Sequence, residues 1–238
     1  MYPVVILAGG LATRLRPITE KIPKSLVDVA GEPFVCRQLR YLKSQDIDTV
    51  VMCIGYLGEM IQEVVGDGRE FGLKVHYCLD GPKLLGTGGA IKQALSAFPN
   101  ELGGNYFVLY GDSFLPIEFG PVQIAFEEST RPALMTVMKN HNQWDKSNVL
   151  YVDKLLIEYN KLNPRQEMTH IDYGLSILSA DVLNKYILGE VFDLAAVFRE
   201  LSILGQLAGY EVFKRFYEIG SHSGLDEAEQ YFFSKDTQ

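Results

Sequence analysis

Leu7-Ala8-Gly9-Gly10-Leu11-Ala12-Thr13-Arg14-Leu15-Arg16-Pro17, followed by Pro23-Lys24-Ser25-Leu26, is the stretch that decides how the chain is read. An apolar run, Val4-Val5-Ile6-Leu7-Ala8, enters it and stops at two glycines. A buried strand that breaks into Gly-Gly exposes consecutive backbone amides, and such amides form a concave anion site. Arg14, Arg16 and Lys24 follow within a few residues. The segment therefore reads as a cradle for a triphosphate. It is not a P-loop, because no Gly-Lys-Ser/Thr follows four residues after a glycine. It is not the dinucleotide fingerprint either, since the G-x-G-x-x-G spacing is missing.

Outward from this stretch the first half alternates two patterns. Val4–Ala8, Thr49–Ile54, 74–78 and 106–110 are β-branched or aromatic-rich and read as buried strands. Helical patterns fill 33–44, Gly58–Val65 and 88–97. Strand-helix alternation with continuously apolar strands requires a mostly parallel sheet covered on both faces. In the second half, 133–138, 173–178 and 211–216 read as strands, and Val149–Val152 with Leu155–Tyr159 as a hairpin turning at Asp153-Lys154. Helices are expected at 180–188, 193–204 and 225–233. No repeat, linker or low-complexity segment divides the chain. The expectation is one α/β domain, a single-domain Rossmann-like three-layer fold around a mixed, mostly parallel sheet, spanning 1–238.

The 238 residues carry 30 acidic and 22 basic side chains, a net charge of −8, which does not suit a duplex nucleic-acid binder. A small phosphorylated ligand needs only a few placed cations and amides, so it stays open. Cys36, Cys53 and Cys78 match neither a zinc spacing nor a disulfide framework. No apolar run approaches the ~18 residues of a membrane span, and no basic leader precedes residue 4. No membrane association is expected, and the location is read as cytoplasmic.

Two further segments carry chemistry. In Leu85-Gly86-Thr87-Gly88-Gly89-Ala90, three glycines ahead of a helical pattern let a flat ring lie against the backbone. Gly86, Thr87 and Gly88 are therefore candidates for holding a base. The strand 106–110 runs into Gly111-Asp112-Ser113. A carboxylate at the C-terminal end of a buried strand stands at the edge where α/β sheets bind ligands. Asp112 can hold Mg²⁺, which takes oxygen ligands and substrate phosphates. His76, His141, His170 and His222 form no site, and Trp144 reads as packing.

The string Gly9-Gly10-x-x-Thr13-Arg14-Leu15-x-Pro17-x-Thr19, then Pro23-Lys24-x-Leu26, resembles the signature of the sugar-1-phosphate nucleotidylyltransferases. Those enzymes join a nucleoside triphosphate to a sugar 1-phosphate and release pyrophosphate. One position departs: Ala12 stands where the family usually has glycine. The resemblance implies that residues 7–14 (Leu7, Ala8, Gly9, Gly10, Leu11, Ala12, Thr13, Arg14) and Gly86 to Gly88 bind the nucleotide. It implies catalytic roles for Arg14, Lys24 and Asp112, and an Mg²⁺ site on Asp112 and Glu218. The family typically has Asp-Ile-Gly-Thr where this chain has Glu218-Ile219-Gly220-Ser221.

On the sugar-phosphate side the resemblance points to Lys161, Asp172 and Gly174. Related enzymes often carry asparagine where this chain has Asp172, facing the sugar or the metal, so Asp172 stands second to Glu218 as a metal ligand and otherwise binds sugar hydroxyls. Residues 1–115 would form the nucleotide half and 116–238 the sugar-phosphate half. Larger relatives add a C-terminal β-helix of hexapeptide repeats, which is not expected here. The nearest likeness is to compact enzymes that activate heptose or N-acetylmuramate 1-phosphates, so GTP is the first choice of nucleotide, with UTP and CTP next. Two alternatives stand beside this reading. A metal-dependent glycosyltransferase would show Asp-x-Asp, which Gly111-Asp112-Ser113 lacks. A non-catalytic sugar-nucleotide-binding protein would not need Arg14, Lys24 and Asp112 together.

Overall fold

The computed structural model describes residues 1–10, 13–81, 83–141, 143–144 and 146–236. In chain order the elements are β1 (Val4–Ala8), β2 (Asp28–Val29), β3 (Glu32–Pro33), α1 (Phe34–Ser44), β4 (Thr49–Ile54), α2 (Gly58–Val65), β5 (Lys74–Leu79), α3 (Gly86–Ala97), α4 (Pro99–Leu102) and β6 (Asn105–Tyr110). There follow β7 (Ser113–Phe114), α5 (Phe119–Ser129), β8 (Ala133–Lys139), β9 (Val149–Val152), β10 (Leu155–Tyr159), β11 (His170–Ser179), α6 (Leu194–Ile203), β12 (Leu207–Val212), β13 (Tyr217–Glu218) and α7 (His222–Asp236).

The main sheet runs β10-β9-β11-β6-β1-β4-β5, with β8 on β11 and β12 on β8. β1, β4, β5 and β6 are mutually parallel, while β11 runs antiparallel against β6. The mixed, mostly parallel sheet expected from the alternation is present. Side chains on β1 show why both faces must be covered. Val4 and Ile6 enter a core shared with Leu39 of α1 and Phe119 of α5. Val5 enters the opposite core with Ile91 of α3 and Phe198 of α6. All three are fully buried.

Four details differ from the sequence reading. The last main-sheet strand is Leu207–Val212, not 211–216. Phe213 beyond it is 85% exposed, so the aromatic that suggested a strand packs against nothing. Where a helix was expected over 180–188 there is only a 3-10 turn, Ala180–Leu183, and Ile187 and Leu188 are exposed. Helix α5 was not anticipated, because its mixed sequence has no clear apolar stripe. The final helix starts earlier than expected, at His222.

A third, smaller core explains how the C-terminal end reaches the N-terminal signature. Val27, Val29 and Phe34 pack with Phe114, Ile219, Ala228 and Phe232. Phe232 of α7 lies edge-on to Phe114 at 4.7 Å. This cluster draws residues 24–34, β7 and β13 into one body. The turn between β6 and β7 is clamped from α1. The Gln38 amide donates to the carbonyls of Tyr110 and Ser113, at 2.9 and 2.8 Å. Those two carbonyls bracket Gly111-Asp112. Gln38 is 2% exposed, so water does not compete.

Removing that amide leaves two carbonyls without their donor in the interior, at a cost of about 1–3 kcal/mol for an unsatisfied buried group. Gln38→Leu is therefore expected to lower stability by about 2–3 kcal/mol in urea unfolding. A loss below ~0.5 kcal/mol, the range of ordinary surface changes, would show that the clamp contributes little.

Candidate functional site

Parallel β1, β4, β5 and β6 bring their C-terminal ends to one edge, and a cleft of about 280 Å³ opens there. Its walls include Leu7, Ala8, Gly9 and Gly10, in the position expected of the glycine-rich turn. Leu11 and Ala12 lie outside the described residues. Thr13 and Arg14 follow in a single 3-10 turn whose Leu15 is fully buried and anchors it.

The charged end of the cleft is assembled from four parts of the chain. Lys24 Nζ and Asp112 Oδ2 form an ion pair at 2.7 Å. The other Asp112 oxygen accepts the Ser113 hydroxyl at 3.1 Å. β13 pairs antiparallel with β7, placing Glu218 opposite Ser113, and the Ile219 amide donates to the Asp112 carbonyl at 2.9 Å. Gly220 follows, and Arg14 and Lys24 both close upon it. A Cβ added there would stand 3.2 Å from Arg14 Nη2 and 3.5 Å from Lys24 Nζ. The missing side chain is what admits two cations to the same spot. Arg14, Lys24, Asp112 and Glu218, distant in sequence, are thus brought together. Arg16 is exposed.

Asp80, Leu84, Gly86 and Thr87 also line the cleft, and a Cβ added to Gly9 would stand 3.1 Å from Asp80 Oδ2. Asp80 ends β5, just as Asp112 ends β6. Burial raises its pKa above the usual carboxylate value, against a backbone hydrogen bond from Leu85 that lowers it. Thr87 is partly committed to structure, since its hydroxyl accepts the Leu194 amide at 2.8 Å at the start of α6. Gly88 is turned away from the cleft. Its amide and that of Gly89 donate to the Phe192 carbonyl, at 3.0 and 3.2 Å. A Cβ on Gly88 would lie 2.3 Å from the Phe192 ring. Packing against residue 192 therefore accounts for this glycine, and Gly86 and Thr87 are the members of the segment that face the cleft.

Tyr110, at the end of β6, joins these ends to the second half of the chain. Burial and the nearby charges of Asp172, Asp112 and Asp193 raise its hydroxyl pKa. Asp172 sits at a bulge in β11, where pairing with β8 slips and Gly174 adopts φ +104°. The Gly174 amide donates to Asp172 Oδ1 at 2.9 Å, and the Asp172 amide donates to Asn148 Oδ1 at 3.0 Å. Burial pushes the Asp172 carboxyl up to about 6, opposed by the Gly174 bond and by the Lys161 charge. Lys161 itself is exposed at the mouth of a separate groove along α6. So Lys161, Asp172 and Gly174 form a second cluster, apart from the Lys24–Asp112 pair.

Among the described residues no group of three or more His, Cys, Asp and Glu side chains is placed to hold a metal ion. Glu218 pairs with Ser113, the residue after Asp112, so the two carboxylates belong to neighbouring backbone positions, and both offer the oxygen donors that Mg²⁺ takes. Among the described residues no helix is long and apolar enough to cross a membrane. His170 is engaged with Glu211 and His76 with Glu101, and Trp144 packs on Phe216 and under Arg215. Sequence reasoning missed Ser25, Cys53, Asp80, Tyr110 and Asp193 as cleft residues. For Asp80 the signal was available, because the strand-end rule that selects Asp112 selects it too.

Comparison with known proteins now gives the lineage. The family model described as nucleotidyl transferase matches residues 3–147. The D-glycero-alpha-D-manno-heptose 1-phosphate guanylyltransferase of Campylobacter jejuni is 32% identical over 200 residues, covering 82% of this chain and 84% of that protein. The N-acetylmuramate alpha-1-phosphate uridylyltransferase of Neisseria meningitidis is 38% identical over 116 residues, 48% of each chain. The crystal structure of HddC from Yersinia pseudotuberculosis complexed with GMP-PN superposes with a TM-score of 0.76 at 25% identity, covering 98% of this chain and 100% of that one. A putative glucose-1-phosphate thymidylyltransferase from Bacillus anthracis shares the fold, with a TM-score of 0.81 at 21% identity over 97% of this chain and 95% of its own. The chain belongs to the nucleotidyl transferase family, as a sugar-1-phosphate nucleotidylyltransferase.

Proposed function

We propose that the chain transfers a guanylyl group from GTP to a sugar 1-phosphate and releases pyrophosphate. The observation that carries this is the convergence of Arg14 and Lys24 on Gly220 beside Asp112 and Glu218. A sugar-phosphate oxygen attacks the α-phosphorus in line, and the bond to the pyrophosphate oxygen breaks. No group on the protein has to form a bond, so catalysis is positioning and charge stabilisation. Arg14, Lys24 and the Gly9-Gly10 amides hold the triphosphate and the charge that builds on the leaving pyrophosphate. Lys24 then exchanges its Asp112 partner for phosphate. Asp112 and Glu218 would hold Mg²⁺, which supplies charge neutralisation for the phosphates it contacts.

Residues 1–115 supply the nucleotide half and 116–238 the sugar-phosphate half, where Lys161, Asp172 and Gly174 receive the sugar phosphate. The cytoplasm, where nucleoside triphosphates are kept, is the place for this reaction. GTP is favoured on two grounds. Relatives from Campylobacter jejuni and Aneurinibacillus thermoaerophilus, 32% and 29% identical, are guanylyltransferases by name. Asp80 also offers an acceptor carboxylate in the cleft that Gly86 and Thr87 line. Guanine presents two adjacent N–H donors on its Watson–Crick edge, which a carboxylate accepts side by side. Uracil presents one N–H between two carbonyls, which a carboxylate repels.

The direct test is pyrophosphate release from four nucleoside triphosphates against a panel of sugar 1-phosphates. Release is expected with GTP, and only when a sugar 1-phosphate is present. Release without the sugar phosphate, or no release with any of the four triphosphates, would overturn the assignment. Asp112→Asn should cut kcat by at least ~100-fold while leaving the fold intact, as removing one preorganised charge-stabilising group does. Near-normal turnover by that variant would remove Asp112 from the metal site. Asp80→Asn should weaken GTP by roughly 10- to 100-fold, the worth of a hydrogen bond to a charged group, and leave UTP almost unchanged. Equal losses for both nucleotides would place Asp80 away from the base.

Asp172 gives a pH signature of stability. Burial pushes its carboxyl up to about 6, from the usual 3.8 of an exposed aspartate. Between those values the folded state binds more protons than the unfolded state, so stability falls as pH rises through the window. Above pH 6 the ionised, buried group costs the fold up to about 3 kcal/mol. Asp172→Asn removes that cost. The variant should be more stable than the parent at pH 7.5, with the advantage shrinking from pH 6 towards pH 4. Urea midpoints that move the opposite way would contradict the burial of this charge.

A further inference from the structure

Ser25 is the unnamed x of the Pro23-Lys24-x-Leu26 string, and neither the resemblance nor the mechanism gives it work. The side chain is 3% exposed and lines the cleft beside Lys24 and Asp112. Its Oγ has no hydrogen-bond partner among the described residues. The local turn does not require the hydroxyl. The Leu26 amide donates to the Pro23 carbonyl at 2.9 Å and the Val27 amide to the Lys24 carbonyl at 3.0 Å, so the turn closes on backbone alone.

A buried hydroxyl without a partner costs roughly 1–3 kcal/mol relative to one that is satisfied. Alanine would fill nearly the same space without that penalty. An orphaned polar atom at this depth is thus a sign of a partner that arrives with the ligand. The position of Ser25 says which ligand. It stands next to Lys24 at the charged end, in the cleft walled by Gly9, Gly10, Gly86 and Thr87. Lys161 and Asp172, the sugar-phosphate cluster, do not line that cleft.

We infer that the Ser25 hydroxyl hydrogen-bonds the bound nucleoside triphosphate and is a nucleotide-binding residue of this chain. The inference rests on the proposed function, since the ligand of this cleft is the triphosphate substrate. In the ligand-free protein the hydroxyl is held ready at an energetic cost, and binding removes that cost. The desolvation of the hydroxyl is already complete before the nucleotide arrives, so the new bond is gained without that cost.

Ser25→Ala and Ser25→Cys, the second close to serine in size but a poor donor, test this together. GTP with magnesium is titrated calorimetrically into each protein. Thermal midpoints and the KM for the sugar 1-phosphate are measured alongside. Both variants should bind GTP roughly 5- to 20-fold more weakly than the parent, the loss expected for one hydrogen bond to a polar or charged group. The Ser25→Ala midpoint should stay level or rise, and the sugar 1-phosphate KM should not move. Unchanged GTP affinity in both variants would overturn the inference and leave the enzyme assignment standing. A loss confined to the sugar 1-phosphate would overturn it too. Absence of nucleotide binding by the parent protein would instead remove the reading of the cleft, and this inference with it.

Discussion

The Lys24–Asp112 ion pair, closed at 2.7 Å against the bare backbone of Gly220, is the contact on which the rest of the site depends. Neither partner is deeply buried, with side-chain exposures of 16% and 28%. A pair of this kind contributes little to stability, of order 1 kcal/mol or less. Its worth lies in placement. Lys24 arrives on a short turn held by the third core, Asp112 on the end of β6, and Gly220 on the entry to α7. The Gln38 amide fixes the carbonyls on either side of Asp112. The pair also keeps a lysine and a carboxylate balanced while the cleft waits for phosphate, so neither charge stands alone in a half-buried position.

An acidic protein that binds a highly charged anion must concentrate its cations and separate its carboxylates. The structure does both. Arg14 and Lys24 meet at Gly220, while Asp80 follows a different strand and approaches Gly9. Asp193 is engaged at the start of α6 with Thr87, and Asp172 lies beyond Tyr110. Asp172 shows most clearly that the arrangement is not made for stability. Its ionised form is held at a cost, with only the Gly174 amide and the Lys161 charge in its favour. Groups kept in such a state mark functional positions more often than structural ones.

The inner strands were legible because they are mostly buried and almost continuously apolar: Val4–Ala8 and Thr49–Ile54 match the sequence reading to the residue. Strand-end logic and the glycine turn led to Gly9, Gly10 and Asp112. The outer elements were not legible. Gly209 weakens the strand signal of β12, and Phe213 supplies a false one just past its end. In the site, what was missed depends on tertiary distance. Nothing local to Gln38 says that its amide meets two carbonyls some seventy residues away. Nothing local to Ser25 says that its hydroxyl is orphaned. Gly88 carries the opposite lesson. A Cβ there would strike the Phe192 ring, a tertiary requirement for glycine that no local pattern announces.

The central claim is that the triphosphate takes Lys24 away from Asp112. A crystal structure of this chain with Mg²⁺ and a non-hydrolysable GTP analogue reads that exchange directly. The account predicts Lys24 Nζ on a phosphate oxygen and beyond the ~4 Å limit of an ion pair from Asp112, whose carboxylate then faces the metal. A complex in which the nucleotide is bound in the cleft while Lys24 stays hydrogen-bonded to Asp112, as it is at 2.7 Å without ligand, would contradict it.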